Sequence, residues 1–248
     1  MSREVTILAL EGIPELREGD DLAGLIAQAA GDRGGLLDDD VVVVAQKAVS
    51  KVEGRIVALD DVEPSDRATE LAGADGDPRQ LEVILGETAR IVRSRPPLVI
   101  AETRHGFVCA SAGVDASNAP GPGVVVLLPV DPDASARRLR DRLVELTGVT
   151  VGVIVSDSFG RPWRQGTMDV ALGVAGVAPL LDLRGRRDAA GYELRTTQIA
   201  VADEIASAAE LVLGKTDGVP AALVRGVDVS GHGSGSDLVM PAERDLFR

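Results

Sequence analysis

Short apolar runs alternate with amphipathic, helix-like stretches along this chain, and that alternation predicts a mixed α/β fold with flanking helices. Val5 to Leu10 and the fully apolar Val41 to Ala45 read as strands, and Gly19-Asp20-Asp21 opens a helix to about Ala30 with Leu22, Leu25 and Ile26 on one face. From Pro64 to Arg93 the chain is polar and helical in pattern. Leu98 to Thr103 and Phe107 to Ser111 are strands around Arg104-His105-Gly106, and Val124 to Leu128 is another. Pro132 opens a helix to about Leu146 with a Leu139, Leu143 and Leu146 stripe. Leu180 to Leu183 is a short strand, Arg184 to Gly191 a charged loop, Thr197 to Leu213 a helix, and Ala221 to Arg225 the last strand. Residues 230 to 236, SGHGSGS, read as a flexible tail or linker.

The most informative segment is Val151 to Gly166, VGVIVSDSFGRPWRQG, where an apolar strand ends in Ser-Asp-Ser. This places Asp157 at the carboxyl end of a buried strand, the edge where ligands bind in open α/β sheets. Asp157 is then a candidate metal ligand, and Arg161 and Arg164 are candidate phosphate forks beside it. A second segment, GVDASN, puts Asp115 just after an extended stretch, with Asn118 close by. Two carboxylates from different strands can share one cation cluster, and hard oxygen ligands favour Mg²⁺ or Mn²⁺ over zinc. Each aspartate also suits an ordinary turn in which it accepts backbone N–H groups. Lys47 and Lys51 lie four apart on one helical face, where they repel unless an anion sits between them; two solvated lysines are the plain alternative.

Composition narrows the function. The chain has 248 residues, enough for one large domain or two small ones, and no apolar run long enough to span a bilayer. With 26 basic and 39 acidic residues its net charge is −13, which argues against nucleic acid as a partner and requires a local basic or metal cluster wherever a nucleotide binds. The N-terminus lacks a signal-peptide pattern, and the single cysteine, Cys109, sits within a strand-like FVCAS; both point to the cytoplasm. Gly214-Lys215-Thr216 ends a helix rather than opening one and lacks the first glycine of a Walker A loop, so it is not a P-loop. No strand-preceded G-x-G-x-x-G occurs, so a Rossmann dinucleotide site has no support, and His105 and His232 have no metal-ligand spacing.

Taken together, GIPELREGDDL, DVVVVAQKAVSKVEGR, AGVDASN, LLPVDPDASA, VGVIVSDSFGRPWRQG, TTQIAVADEIASAAELV with GK after it, and ALVRG resemble the coenzyme F420-0:γ-glutamyl ligase family, which includes the archaeal CofE enzymes and the N-terminal ligase domain of actinobacterial FbiB proteins. The resemblance spans nearly the whole chain. It implies an α+β ligase fold over residues 1 to 248, of one domain or two intertwined subdomains, without the flavin reductase domain that follows in FbiB. It implies a GTP-dependent ligase that activates the carboxylate of coenzyme F420-0 as an acyl phosphate, joins it to L-glutamate, and extends the product with further γ-linked glutamates. By the same resemblance Ile13, Pro14, Glu15, Leu16, Gln46, Lys51 and Asn118 would contact GTP. Asp115, Asp157, Ser158 and Gln198 would hold two Mg²⁺ or Mn²⁺ ions, with K⁺ as a further candidate ion, and the protein would be a homodimer. Two alternatives from the residues alone are a different nucleotide-dependent carboxylate-amine ligase and a nucleotide- or metal-binding module without chemistry.

Overall fold

The structure, a computed structural model, describes residues 4–246. In chain order the elements are β1 (Thr6–Ala9), α1 (Leu22–Gly31), β2 (Val41–Ala45), α2 (Gln46–Val52), β3 (Ile56–Ala58), α3 (Asp66–Ala72), α4 (Pro78–Glu87), β4 (Thr88–Arg95), β5 (Leu98–Thr103), β6 (Val108–Ala110), β7 (Val124–Val126), α5 (Pro132–Thr147), β8 (Gly152–Arg161), β9 (Arg164–Ala175), β10 (Leu181–Asp182), β11 (Gln198–Ile199), α6 (Val201–Leu213) and β12 (Ala221–Arg225). Five strands form a mixed sheet in the order β1-β12-β2-β8-β9. Its neighbours pair antiparallel except β2 and β8, which run parallel from Val41↔Gly152 to Ala45↔Ser156.

The apolar runs exist because this sheet is covered on both sides. Val42, Val44, Val153 and Val155 pack into one core with residues of α1 and α5, while Val41, Val43 and Ile154 pack into another with α6. Successive side chains thus go to opposite cores, as a period of two requires. A parallel pair needs a long crossover. Here the crossover is a whole second lobe, in which β3 pairs with β7, β4-β5-β6 form a three-stranded sheet, and α3 and α4 share a third core with Val99, Ala101 and Val125. The mixed α/β expectation is met.

Four local expectations are corrected. The helical reading of 64 to 93 holds only to Glu87, because Thr88–Arg95 pairs with β5 as a strand. The sixth helix starts at Val201, with Gln198–Ile199 paired to β10 instead. The strand holding Asp157 does not stop at Ser156 but continues to Arg161 and returns as β9, a hairpin that the Gly and Pro of the turn disguise as a loop. Finally, SGHGSGS is docked: Ser230 bridges to Val177, and the Gly235 N–H donates to Asp133 Oδ1 at 2.7 Å.

Asp133 also accepts the Val174 N–H at 2.8 Å, so the start of α5 clamps both β9 and the glycine-rich segment. The clamp depends on Gly173, where an added Cβ would fall 2.2 Å from the carbonyl of Pro132. Gly173→Ala is therefore expected to cost ~1–3 kcal/mol of stability through overpacking. Urea unfolding would show it as a lower midpoint with unchanged slope.

Candidate functional site

The sheet opens where its parallel pairing ends. Beyond Ala45↔Ser156, β2 turns directly into α2 while β8 continues outward with β9. The gap exposes Gln46 and Lys47 of α2, Asp157 and Ser158 of β8, Asp169 of β9, and Glu210 with Lys215 from the end of α6, all lining a cavity of about 70 Å³.

Three carboxylates meet this small cavity. Asp169 is buried and accepts hydroxyl hydrogen bonds from Ser156 (2.8 Å) and Ser158 (2.7 Å), while its own N–H donates to Glu210 Oε2 at 3.2 Å. Asp157 makes no ion pair within 4.0 Å among the described residues. Burial pushes its carboxyl up to about 7, a rise that Lys47, the Ser158 N–H and Lys215 oppose and nearby Asp169 reinforces. A partly buried, weakly compensated carboxylate of this kind marks functional sites more often than structural ones.

Lys47 is the cation that the two sequence-predicted aspartates share. Its Nζ lies 2.5 Å from Asp115 Oδ2 and 2.8 Å from Ser117 Oγ, with the side chain 12% exposed, and its charge acts on Asp157 as well. Asp115 feels burial pushing its carboxyl up, but the bonds from Lys47 and Ser117 prevail and hold it below the usual range. Ser117 N–H also donates to Asp115 Oδ1 at 2.8 Å, so the turn role and the charge role coexist. Lys51 pairs separately with Glu15. Neither lysine is solvated, as the plain alternative had it: each is largely buried against its own carboxylate. Gln46 is fully buried, accepts from Ser50 through Oε1 at 2.8 Å, and has no partner for its Nε2 among the described residues. A buried amide donor without a partner is costly, which favours an acceptor in the cavity it lines.

A larger cavity of about 280 Å³ adjoins the first, sharing Ala45, Lys47, Asn118, Gly214, Lys215 and Val219 with it. Its walls include Ile13, Pro14, Glu15, Leu16 and Lys51. Asn118 Nδ2 donates to the Lys215 carbonyl at 3.2 Å, tying the GVDASN loop to the segment after α6.

The structure thus gathers Ile13 through Leu16, Lys51 and Asn118 around one cavity and Gln46, Asp157 and Ser158 around its neighbour. Asp115 stands behind Lys47 and lines neither. Gln198 is on the exposed β10–β11 ribbon opposite Asp182 and lines neither. Arg161 and Arg164 flank the tip of the β8–β9 hairpin, Arg161 bonding the Gln165 carbonyl at 3.2 Å. At ~3.3 Å per strand residue, Arg161 is roughly 13 Å along the strand from Asp157, so neither arginine is the neighbour that the sequence suggested. The residues that sequence reasoning missed are Asp169, Glu210 and Lys215. An acid inside the apolar run MDVALGVA was the available signal for Asp169. Cys109 is buried and its thiol is pushed up to about 12, chiefly by burial, which excludes it as a nucleophile.

The oxygen-only donor set suits a hard cation. Among the described residues no group of three or more His, Cys, Asp or Glu is arranged to hold a metal unaided. An ion here would complete its shell with phosphate and water oxygens, as Mg²⁺ usually does. The Lys47 ammonium, paired with Asp115 and acting on Asp157, already supplies positive charge there.

A family model described as F420-0:Gamma-glutamyl ligase matches residues 12–226. A Methanothermobacter thermautotrophicus protein named coenzyme F420:L-glutamate ligase is 45% identical over 98% of this chain and 99% of its own length. Proteins of the same name from Methanopyrus kandleri and Archaeoglobus fulgidus are 49% and 43% identical, covering 97% and 98% of this chain and 98% and 96% of theirs.

The raised carboxyl of Asp157 has a signed consequence for stability. The folded chain holds this proton more tightly than the unfolded one, so the contribution is fully present below about pH 3.8 and is lost as pH rises through about 7. Metal-free protein carrying Asp157→Asn should therefore gain stability over the unaltered protein progressively between those values. Paired urea melts from pH 4 to pH 8 check this, and a difference that is flat with pH contradicts it.

Proposed function

The chain belongs to the F420-0:gamma-glutamyl ligase family, and from that premise we propose that it joins L-glutamate to the terminal carboxylate of coenzyme F420-0, using GTP to activate that carboxylate. The observation that carries the reading is the pair of adjoining cavities. The larger has the mixed apolar and basic lining that a nucleoside needs, and the smaller presents carboxylates where a metal on its phosphates would sit.

In this reading Ile13 to Leu16 cover the nucleoside, and Lys47, Lys51 and Lys215 reverse the local field of a protein whose net charge is −13. Asp157, Asp169 and the Ser158 hydroxyl would hold Mg²⁺ or Mn²⁺, two ions per site, with Asp115 joining once Lys47 turns to phosphate and K⁺ as a further ion. Bound there, the ions neutralise charge on the transferring phosphoryl group. The acceptor carboxylate oxygen attacks the γ-phosphorus, the bond to the β–γ bridging oxygen breaks, and GDP leaves. The glutamate amine then attacks the acyl carbon; the amide C–N bond forms, the amine loses a proton to solvent, and inorganic phosphate departs with the carbonyl–oxygen bond's electrons. Gln46 Nε2 is a donor for a phosphate oxygen in this cavity. The new side-chain carboxylate repeats the acceptor group, so addition continues to at least a second residue. The working unit is a homodimer, and the compartment is the cytoplasm.

Incubation with coenzyme F420-0, glutamate, GTP and Mg²⁺ should yield mono- and then diglutamyl products by mass spectrometry, with one GDP and one phosphate per amide. GTP hydrolysis that ignores glutamate and acceptor would point to a module without ligation, and turnover only with another carboxylate to a different ligase. Asp169→Asn, which weakens the support of both serines, should slow ligation by roughly 10–100-fold while the melting temperature changes little. Sedimentation giving only a 25.7 kDa species at micromolar concentration would remove the dimer.

A further inference from the structure

A third cavity, of about 260 Å³, lies against the β8–β9 hairpin and shares no lining residue with the first two, and nothing in the ligation scheme above uses it. Its walls concentrate what the chain otherwise lacks. Aromatic residues are 2% of the sequence, with three phenylalanines in all, yet Phe107 and Phe159 both line this cavity, beside Val170 and Met240. Phe107 stacks on His105 with ring centres 5.6 Å apart and meets Phe159 edge-on at 6.2 Å. At the rim, Val108 is 42% and Met240 52% exposed, so the apolar surface is open to solvent. Two carboxylates line it: Asp245 near the C-terminal end, and Asp203 of α6, whose Oδ1 accepts the Ala171 N–H at 2.9 Å and whose other oxygen has no hydrogen bond among the described residues.

Open aromatic walls with a thioether and an acceptor anchored on the Ala171 N–H fit a planar heteroaromatic ring that carries an N–H on its edge. The volume, just under the ~300 Å³ at which ligand pockets begin, suits a ring system rather than a whole coenzyme. Position joins it to the chemistry. Phe159 is two residues beyond Asp157, hence on the same face of β8 and roughly 7 Å along it, and Val170 is the register partner of Asp157. A ring held here would send its arm along the hairpin toward Asp157.

We propose that this cavity, lined by Phe107, Phe159, Val170, Met240 and Asp203, is the subsite for the planar deazaflavin ring of the acceptor, with Asp203 accepting the ring's imide N–H. The proposal rests on the ligase reading for its occupant. Ring and reacting carboxylate are then held at different points along one hairpin, and the ring stays seated while the glutamate tail grows.

The test uses two acceptors: coenzyme F420-0, and the deazaflavin riboside that lacks the phosphate arm and cannot be ligated. The full chain should bind the riboside by fluorescence titration. Phe107→Ala, and Val108→Trp, which fills the cavity from its exposed rim, should each weaken that binding about tenfold or more and raise the KM for coenzyme F420-0 to match, leaving the KM for GTP unchanged. Equal riboside affinity in all three proteins overturns the proposal, as does an unaltered protein that ligates coenzyme F420-0 without binding the riboside. Riboside binding that both variants abolish, in a protein that ligates nothing, would sink the ligase reading and leave the ring site standing.

Discussion

The parallel pairing of β2 with β8 is the constraint from which the candidate site follows. Val41 to Ala45 align with Gly152 to Ser156, both strands are buried on two faces, and the pair ends with Ala45 beside Ser156. The next residues on each strand are Gln46 and Lys47 on one side and Asp157 and Ser158 on the other. A slip of one residue would send the valines of both cores to the wrong faces and separate these groups, so hydrophobic burial sets the register and the register sets the chemistry. The crossover that a parallel pair demands also brings the second lobe, and with it Asp115 and Asn118, back to the same edge.

Charge is arranged there against the trend of the molecule. A chain with 39 acidic residues directs Lys47, Lys51 and Lys215 at two adjoining cavities, and Lys47 and Lys51 are each largely buried against a carboxylate. Asp157 is left under-compensated, and Gln46 Nε2 has no partner among the described residues. Such local frustration is destabilising by itself and would be relieved by a polyanion with its cations, in keeping with the proposed function.

Much of the frame was legible in the sequence. Four consecutive valines after three aspartates read as a fully apolar strand, and the helix starting at Pro132 was marked by its N-terminal proline and by Leu139 and Leu143, which are buried, whereas Leu146 of the expected stripe is exposed. The β9 strand was not, because Arg164 to Gly166 are exposed at a hairpin tip and Gly166 and Gly173 interrupt the alternation; with β9 went Asp169, the buried acid that accepts from Ser156 and Ser158. Gln198, a metal ligand by resemblance, fell at the start of a helix read from its apolar spacing, where tertiary pairing makes a strand instead, and the arginines beside Asp157 in sequence were carried away by the extended hairpin. Lys215 was dismissed with the P-loop it does not form, although its place after α6 is what brings it to the cavity. Adjacency in sequence misled wherever an extended strand, rising ~3.3 Å per residue, intervened.

The central claim is that one edge of the sheet binds a nucleotide and divalent ions as a single unit. Titrating Mn²⁺ into the protein with and without GTP, and counting free ion by its electron paramagnetic resonance signal, tests it most directly. The account predicts weak Mn²⁺ binding alone and two tightly held ions per chain once GTP is present. Tight GTP binding with no change in the number of bound Mn²⁺ ions would contradict it.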